Sequence, residues 1–152
     1  MSTAARDVRN ALKMCLASTA GAEYYELKYV ENVTENSFNQ GKDLRYGVRP
    51  GITPENGING TTGHLTYTQS FEFVLTKGYC ESAHDDFSKY ETFLDLHEIA
   101  LRFYNKVFTT KAGLPSRVLN AVNLVINEPE FLTQSKVTVL TGNVDIIYRL
   151  TL

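Results

Sequence analysis

The stretch HLTYTQSFEFVLTKGY, residues His64 to Tyr79, decides the fold because its apolar side chains recur at every second position. Leu65, Tyr67, Gln69, Phe71, Phe73 and Leu75 share one side, while Thr66, Thr68, Ser70, Glu72 and Thr76 share most of the other. Successive side chains of a strand point to opposite faces of its sheet, so this period of two predicts a long strand with one buried face. Its polar side reads as a solvated surface.

Downstream the period changes from two to that of a helix, expected over about 84–109. Ser82 and Ser88 are both candidate caps, since each has an acidic residue three positions on, Asp85 or Glu91. Along this helix Phe87, Tyr90, Phe93, Leu94, Leu96, His97, Ala100, Leu101, Phe103, Tyr104, Val107 and Phe108 cover an arc of roughly 200°, about twice what one sheet face needs. The helix is therefore expected to make two apolar contacts. One is with the sheet, and the other is with a further partner.

Upstream, residues 3–19 place Ala5, Val8, Leu12, Cys15, Leu16 and Thr19 at three- and four-residue spacings, an amphipathic helix that Gly21 ends. The aromatic and β-branched run AEYYELKYV, 22–30, predicts the first strand. Between Glu31 and His64 lie six of the ten glycines, two of the four prolines and five asparagines, with few large apolar residues. Such a composition predicts a projecting arm that builds no core, in which LRYGVR leaves a β-hairpin open. After TTKAGLPS, strands are expected at VLNAVNLVI and through SKVTVL and VDIIYRLTL. Apolar positions there are odd at Val137 and Val139 but even at Val144, Ile146, Tyr148 and Leu150. That change of parity predicts either a tight Gly142-Asn143 hairpin or a bulge.

Length and composition bound the function. One chain of 152 residues with 43% hydrophobic residues fits a single α+β domain, 1–152, with 31–64 as its glycine-rich arm. The sheet is expected to be mostly antiparallel and flanked by the two helices. A formal charge of -2 disfavours affinity built on neutralising many phosphates. No apolar run reaches the roughly 18 residues that span a bilayer, so no membrane partner is expected. Charges interrupt the N-terminal stretch where a signal peptide is apolar, which predicts a cytosolic chain with Cys15 and Cys80 reduced and Cys15 buried.

Candidate chemistry is sparse. His97 lies inside the apolar arc, where a packed core or interface histidine is the simpler reading. His84, Asp85 and Cys80 supply half of a zinc ligand set, and the acidic pair Asp85-Asp86 equally suits a helix N-terminus. Glu91, Asp95, Glu98 and Arg102 are spaced for surface ion pairs. The sequence contains neither a glycine-flanked nucleophile nor a phosphate-cradling glycine loop. No enzymatic activity, catalytic residue, metal or cofactor is expected. Lys42, Arg45, Tyr46 and Arg49 form a small basic and aromatic group in the arm, a candidate docking group for nucleic acid or an acidic protein surface, with half-solvated decoration as the simpler reading.

The order of elements, carried by RDVRNALKMCL, QSFEFVL, DFSKYETFLDLHEIALRFYNKVF and VTVLTGNVDIIYRL, resembles the tail-terminator and head-to-tail joining (neck) proteins of long-tailed bacteriophages. The resemblance implies a structural virion protein, assembled in the host bacterial cytoplasm, that forms a hexameric ring at the head-tail junction. It implies neck, tail-tube or connector proteins as neighbours, a sheet face turned to the lumen, and DNA passing through without sequence-specific binding. Under this resemblance Phe93, Leu96, Phe103 and Val107 are the expected subunit interface. The 31–64 arm departs from a minimal member of the family. Alternatives are another virion tail component, or a small-molecule or peptide-binding domain lined by Tyr24, Tyr67, Phe71 and Tyr104.

Overall fold

Two long strands run antiparallel through the centre of the protein, in register from Leu65 opposite Leu150 to Gly78 opposite Val137. The computed structural model describes residues 4–27, 33, 44–51, 57–61, 64–80, 88–110 and 118–150. In chain order the elements are α1 (Ala4–Ala20), β1 (Tyr25–Glu26), β2 (Arg45–Pro50), β3 (Gly57–Thr61), β4 (His64–Gly78) and α2 (Ser88–Asn105). The last of these continues into a π-helical turn, Lys106–Thr110, and is followed by β5 (Val118–Ile126), β6 (Glu130–Leu132) and β7 (Val137–Leu150). The fold is α+β, with a mostly antiparallel sheet in the order β1-β2-β4-β7-β5. Strand β3 extends the line of β2 along one edge of β4, and β6 extends that of β5 along the far edge of β7.

Both helices cover one face of this sheet. Val8, Leu12, Cys15 and Leu16 of α1 join Leu96, Ala100 and Phe103 of α2 over Val48, Phe71, Phe73, Leu75, Leu140, Val144 and Ile146. Burying one such aliphatic or aromatic side chain contributes about 1.5–3 kcal/mol, so this layer is the main stabilising element. Gly21, at φ +116°, closes α1 as expected: its N–H donates to the Ala17 carbonyl at 3.0 Å. The expected helix over 84–109 is described from Ser88 onward. Ser88 Oγ accepts the N–H of Cys80 at 3.1 Å and so ties the end of β4 to the start of α2. Ser82 lies outside the described residues.

The parity change has a different cause from either one expected. Strand β7 is a single strand whose register with β4 never slips, so Gly142-Asn143 is neither hairpin nor bulge. Instead the sheet is buried on both faces at one end. Leu140, Val144 and Ile146 face the helices, while Val137 and Val139 turn to the opposite face and pack with Leu27, Val74 and Leu132. The irregularities fall on the neighbour β5, at Val118/Asn120 and Val122/Leu124, where Asn123 has φ 56°. Gly142 lies opposite Phe73, and a Cβ at position 142 would come within 2.6 Å of both the Phe73 ring and the Val125 carbonyl oxygen. Only glycine lets that ring lie across the strand, where it meets Phe103 of α2 edge to face at 5.5 Å.

Where it is described, the 31–64 segment lies in the sheet, and the strand left open at LRYGVR is present as β2. Strand β2 pairs with β4 over six residues, its Val48 is buried in the main core, and Arg9 Nε of α1 donates to the Val48 carbonyl at 3.0 Å. Strand β3 pairs with β4 from Gly57 opposite Thr68 to Thr61 opposite His64. A glycine-rich segment has thus supplied a strand because long-range pairing and the cover of α1 offset its weak local preference.

Candidate docking site

Helix α2 carries two apolar stripes. Leu96, Ala100 and Phe103 lie on its underside, continued by Val107 of the π-helical turn, and all four are fully buried in the core. About 110° around the helix, Tyr90, Leu94, His97, Leu101, Tyr104 and Phe108 follow one another at spacings of four, three, four, three and four. Tyr90 is 48%, Leu94 55%, Leu101 47% and Phe108 48% exposed, far more than core side chains of those types. Phe108 stacks on Tyr104 with centroids 5.7 Å apart, which keeps the stripe continuous into the π-helical turn.

Neighbouring contacts fix the direction in which this stripe faces. Lys106 acts electrostatically on Cys15 of α1, and Asp95 pairs with Lys77 of β4 at 3.0 Å, so that side of α2 looks toward α1. Tyr90, by contrast, meets Phe131 of β6 edge to face at 5.8 Å, with Lys89 Nζ over both rings. The stripe therefore overhangs the edge of the sheet made by β5 and β6. Val125 of β5 is exposed at that edge. The bulges and the left-handed Asn123 interrupt the edge, a device that discourages indiscriminate strand pairing.

The expected interface residues are thereby reassigned. Leu96, Phe103 and Val107 are core side chains, and Phe93, half-buried, packs against that core and lies 5.7 Å from the His97 ring. Spacing had given the width of the arc correctly but not which part of it meets the sheet. The expected docking group in the arm is also redistributed. Arg49 pairs with Glu72 across β2 and β4, its Nε 2.9 Å from Oε2; the Arg45 guanidinium lies 5.6 Å from the Tyr25 ring centre; Tyr46 packs against the core. These side chains are occupied within the sheet, and Lys42 lies outside the described residues.

The remaining chemical candidates do not converge. Cys80 is exposed and free, Cys15 is buried and free, and His84, Asp85 and Asp86 lie outside the described residues. Among the described residues no three of His, Cys, Asp and Glu come together to hold a metal ion. Burial raises the Cys15 thiol above its usual range, and Lys106 and Thr19 pull it back only in part. Burial, then the charges of Glu23 and Asp95, pushes the Tyr24 phenol up to about 12, and burial with Glu26 also raises Tyr46. These are shifts toward the neutral, unreactive form, as packing produces. Phe71, expected in a ligand pocket, is fully buried in the core, with Tyr67 and Tyr104 packed against it.

No described helix is long and apolar enough to cross a membrane. Neither a protein-family model nor a curated protein matches the sequence.

Proposed function

We propose that this chain is a non-enzymatic structural subunit of a phage head-tail junction, a tail terminator or neck connector working as a ring. The reading is supported above all by the outward stripe of α2. It exposes four large apolar side chains in a row beside a core that is already complete. A contiguous patch of this kind marks a surface that another chain covers. Element order, α1, sheet strands, α2 and closing strands, agrees with the phage family that the sequence resembles.

Two further properties suit the role. Away from the Val137 and Val139 cluster, the sheet face opposite the helices carries Ser70, Glu72 paired to Arg49, Asn143 and Asp145, with the exposed Val125 beside Asn143. With a formal charge of -2, such a subunit would let DNA pass without gripping its phosphates. Ring closure requires that one surface of each copy meet a different surface of the next through a rotation that closes, and the stripe supplies one of the two. Light scattering and negative-stain imaging of the chain mixed with its neck and tail neighbours provide the test. Rings with a central hole are expected, and a chain that stays a compact monomer in that mixture overturns the proposal.

A further inference from the structure

We infer that the free subunit pairs with a second copy of itself, stripe against stripe, with the two α2 helices antiparallel. The inference rests on reading the stripe as a docking surface and names its occupant before any ring neighbour arrives.

The spacing carries the first step. Both stripes of α2 alternate fours and threes, but only the outward one is exposed and free to serve as the seam of a two-helix coiled coil, with Leu94, Leu101 and Phe108 on one set of seam positions and Tyr90, His97 and Tyr104 on the other. In an antiparallel pair each set faces the other. Tyr90 then meets Phe108 of the second copy, Leu94 meets Tyr104, and His97 meets Leu101. All three layers are centred on the level of Ile99, so a single two-fold axis satisfies the whole stripe and leaves no seam residue unmatched.

Charge decides the orientation. The polar flank beside the seam carries Glu91, Glu98 and Arg102, with Glu98 and Arg102 bridged within the helix. When two helices pair antiparallel, this flank faces the same flank of the partner; when parallel, it faces the side turned to the partner's own core. In α2 that second side holds Phe93, Ala100 and, beyond Asn105, Val107, and its one cation, Lys89 of the first turn, is placed over the Tyr90 and Phe131 rings of its own copy. Only the antiparallel pair brings Arg102 of each copy within a turn of Glu98 of the other, so that the two Glu98 side chains that meet at the two-fold are flanked by two Arg102 cations. The same two-fold keeps both sheets on one side of the helix pair, their β5 edges toward each other.

Area is sufficient. Four side chains about half exposed offer on the order of 400 Å² per copy. With His97, Tyr104 and the flanks, the pair buries roughly 1,000 Å², the lower bound of a specific interface. A contact at that bound is exchangeable. It shields the stripe in the free subunit and gives way when a ring neighbour covers the same side chains.

Cysteine trapping in a Cys80→Ser background tests the geometry, with sedimentation equilibrium of the unmodified chain as the second measurement. Leu94→Cys combined with Tyr104→Cys is expected to give a covalent dimer under mild oxidation. Leu94→Cys alone is not, because its two thiols lie about 15 Å apart along the axis. Sedimentation should give twice the chain mass at micromolar concentration, and the chain mass for Leu94→Glu/Leu101→Glu with unchanged circular dichroism. Cross-linking by Leu94→Cys alone as readily as by the double variant overturns the antiparallel pair. So does a wild-type chain that sediments as a monomer throughout, an outcome that leaves the ring to be decided by imaging with its neighbours. A closed assembly of more than two copies also overturns the pair, while supporting the ring.

Discussion

The two apolar stripes of α2 are close in composition and opposite in environment. The lower one, Leu96, Ala100, Phe103 and the adjoining Val107, is sealed against β4 and β7; the outward one, Tyr90, Leu94, Leu101 and Phe108, stands half in solvent above the β5 edge. The contrast teaches that hydrophobic residues on a helix serve stability or association according to their angle to the sheet, about 110° apart here. Substitutions that damage one stripe should therefore spare what the other does.

The largest effect is expected from Phe103→Ala. It removes a fully buried ring that meets Phe73 edge to face, and should lower unfolding free energy by about 3–5 kcal/mol in urea titrations. A loss near zero would mean that the lower stripe is not the core. Gly142→Ala comes next, at about 2–3 kcal/mol, because the added methyl meets both the Phe73 ring and the Val125 carbonyl. Pairing it with Phe73→Leu should recover part of that loss, since the ring it strikes is gone.

Titration sharpens the comparison at the margin of the core. Tyr24 has a phenol pKa of about 12 in the folded protein against an ordinary 10. A group whose folded pKa is raised favours the folded state fully below the unfolded value, and that contribution is lost as pH rises through the folded one. Stability should therefore fall between pH 10 and 12, by roughly 2 kcal/mol, and the fall should be smaller in Tyr24→Phe. Chemical denaturation at stepped pH measures it. Smallest of all, Leu94→Ala and Leu101→Ala should each change the stability of the monomer by no more than about 0.5 kcal/mol, since both side chains are already half in water.

Much of the fold was legible in the sequence because its main elements obey a single period. The alternation of Tyr67 to Leu75 marks β4, and the spacing of Val8, Leu12, Cys15 and Leu16 marks α1, independently of anything far along the chain. The rest depended on tertiary relations. RYGVRP was readable as a short strand, but its place beside β4 and under α1 depends on residues far along the chain. Val137 and Val139 look out of phase only on the premise that one sheet face is buried, and the small cluster around Leu27, Val74 and Leu132 removes that premise. Of the candidate site, the width of the apolar arc on α2 was readable and its phase was not, because the sheet selects which part of the arc it covers. Both stripes, Leu96-Ala100-Phe103-Val107 and Tyr90-Leu94-His97-Leu101-Tyr104-Phe108, follow the same four-three alternation, so spacing alone does not tell the core stripe from the outward one.

On the proposed reading, the outward stripe serves association and contributes little to folding. Sedimentation equilibrium and thermal unfolding of the same Leu94→Glu/Leu101→Glu sample test it most directly. The wild-type chain is expected to sediment above its monomer mass, while the variant sediments as a monomer and unfolds at nearly the wild-type temperature. Equal masses for the two proteins, or a variant that loses its fold as Phe103→Ala should, would contradict it.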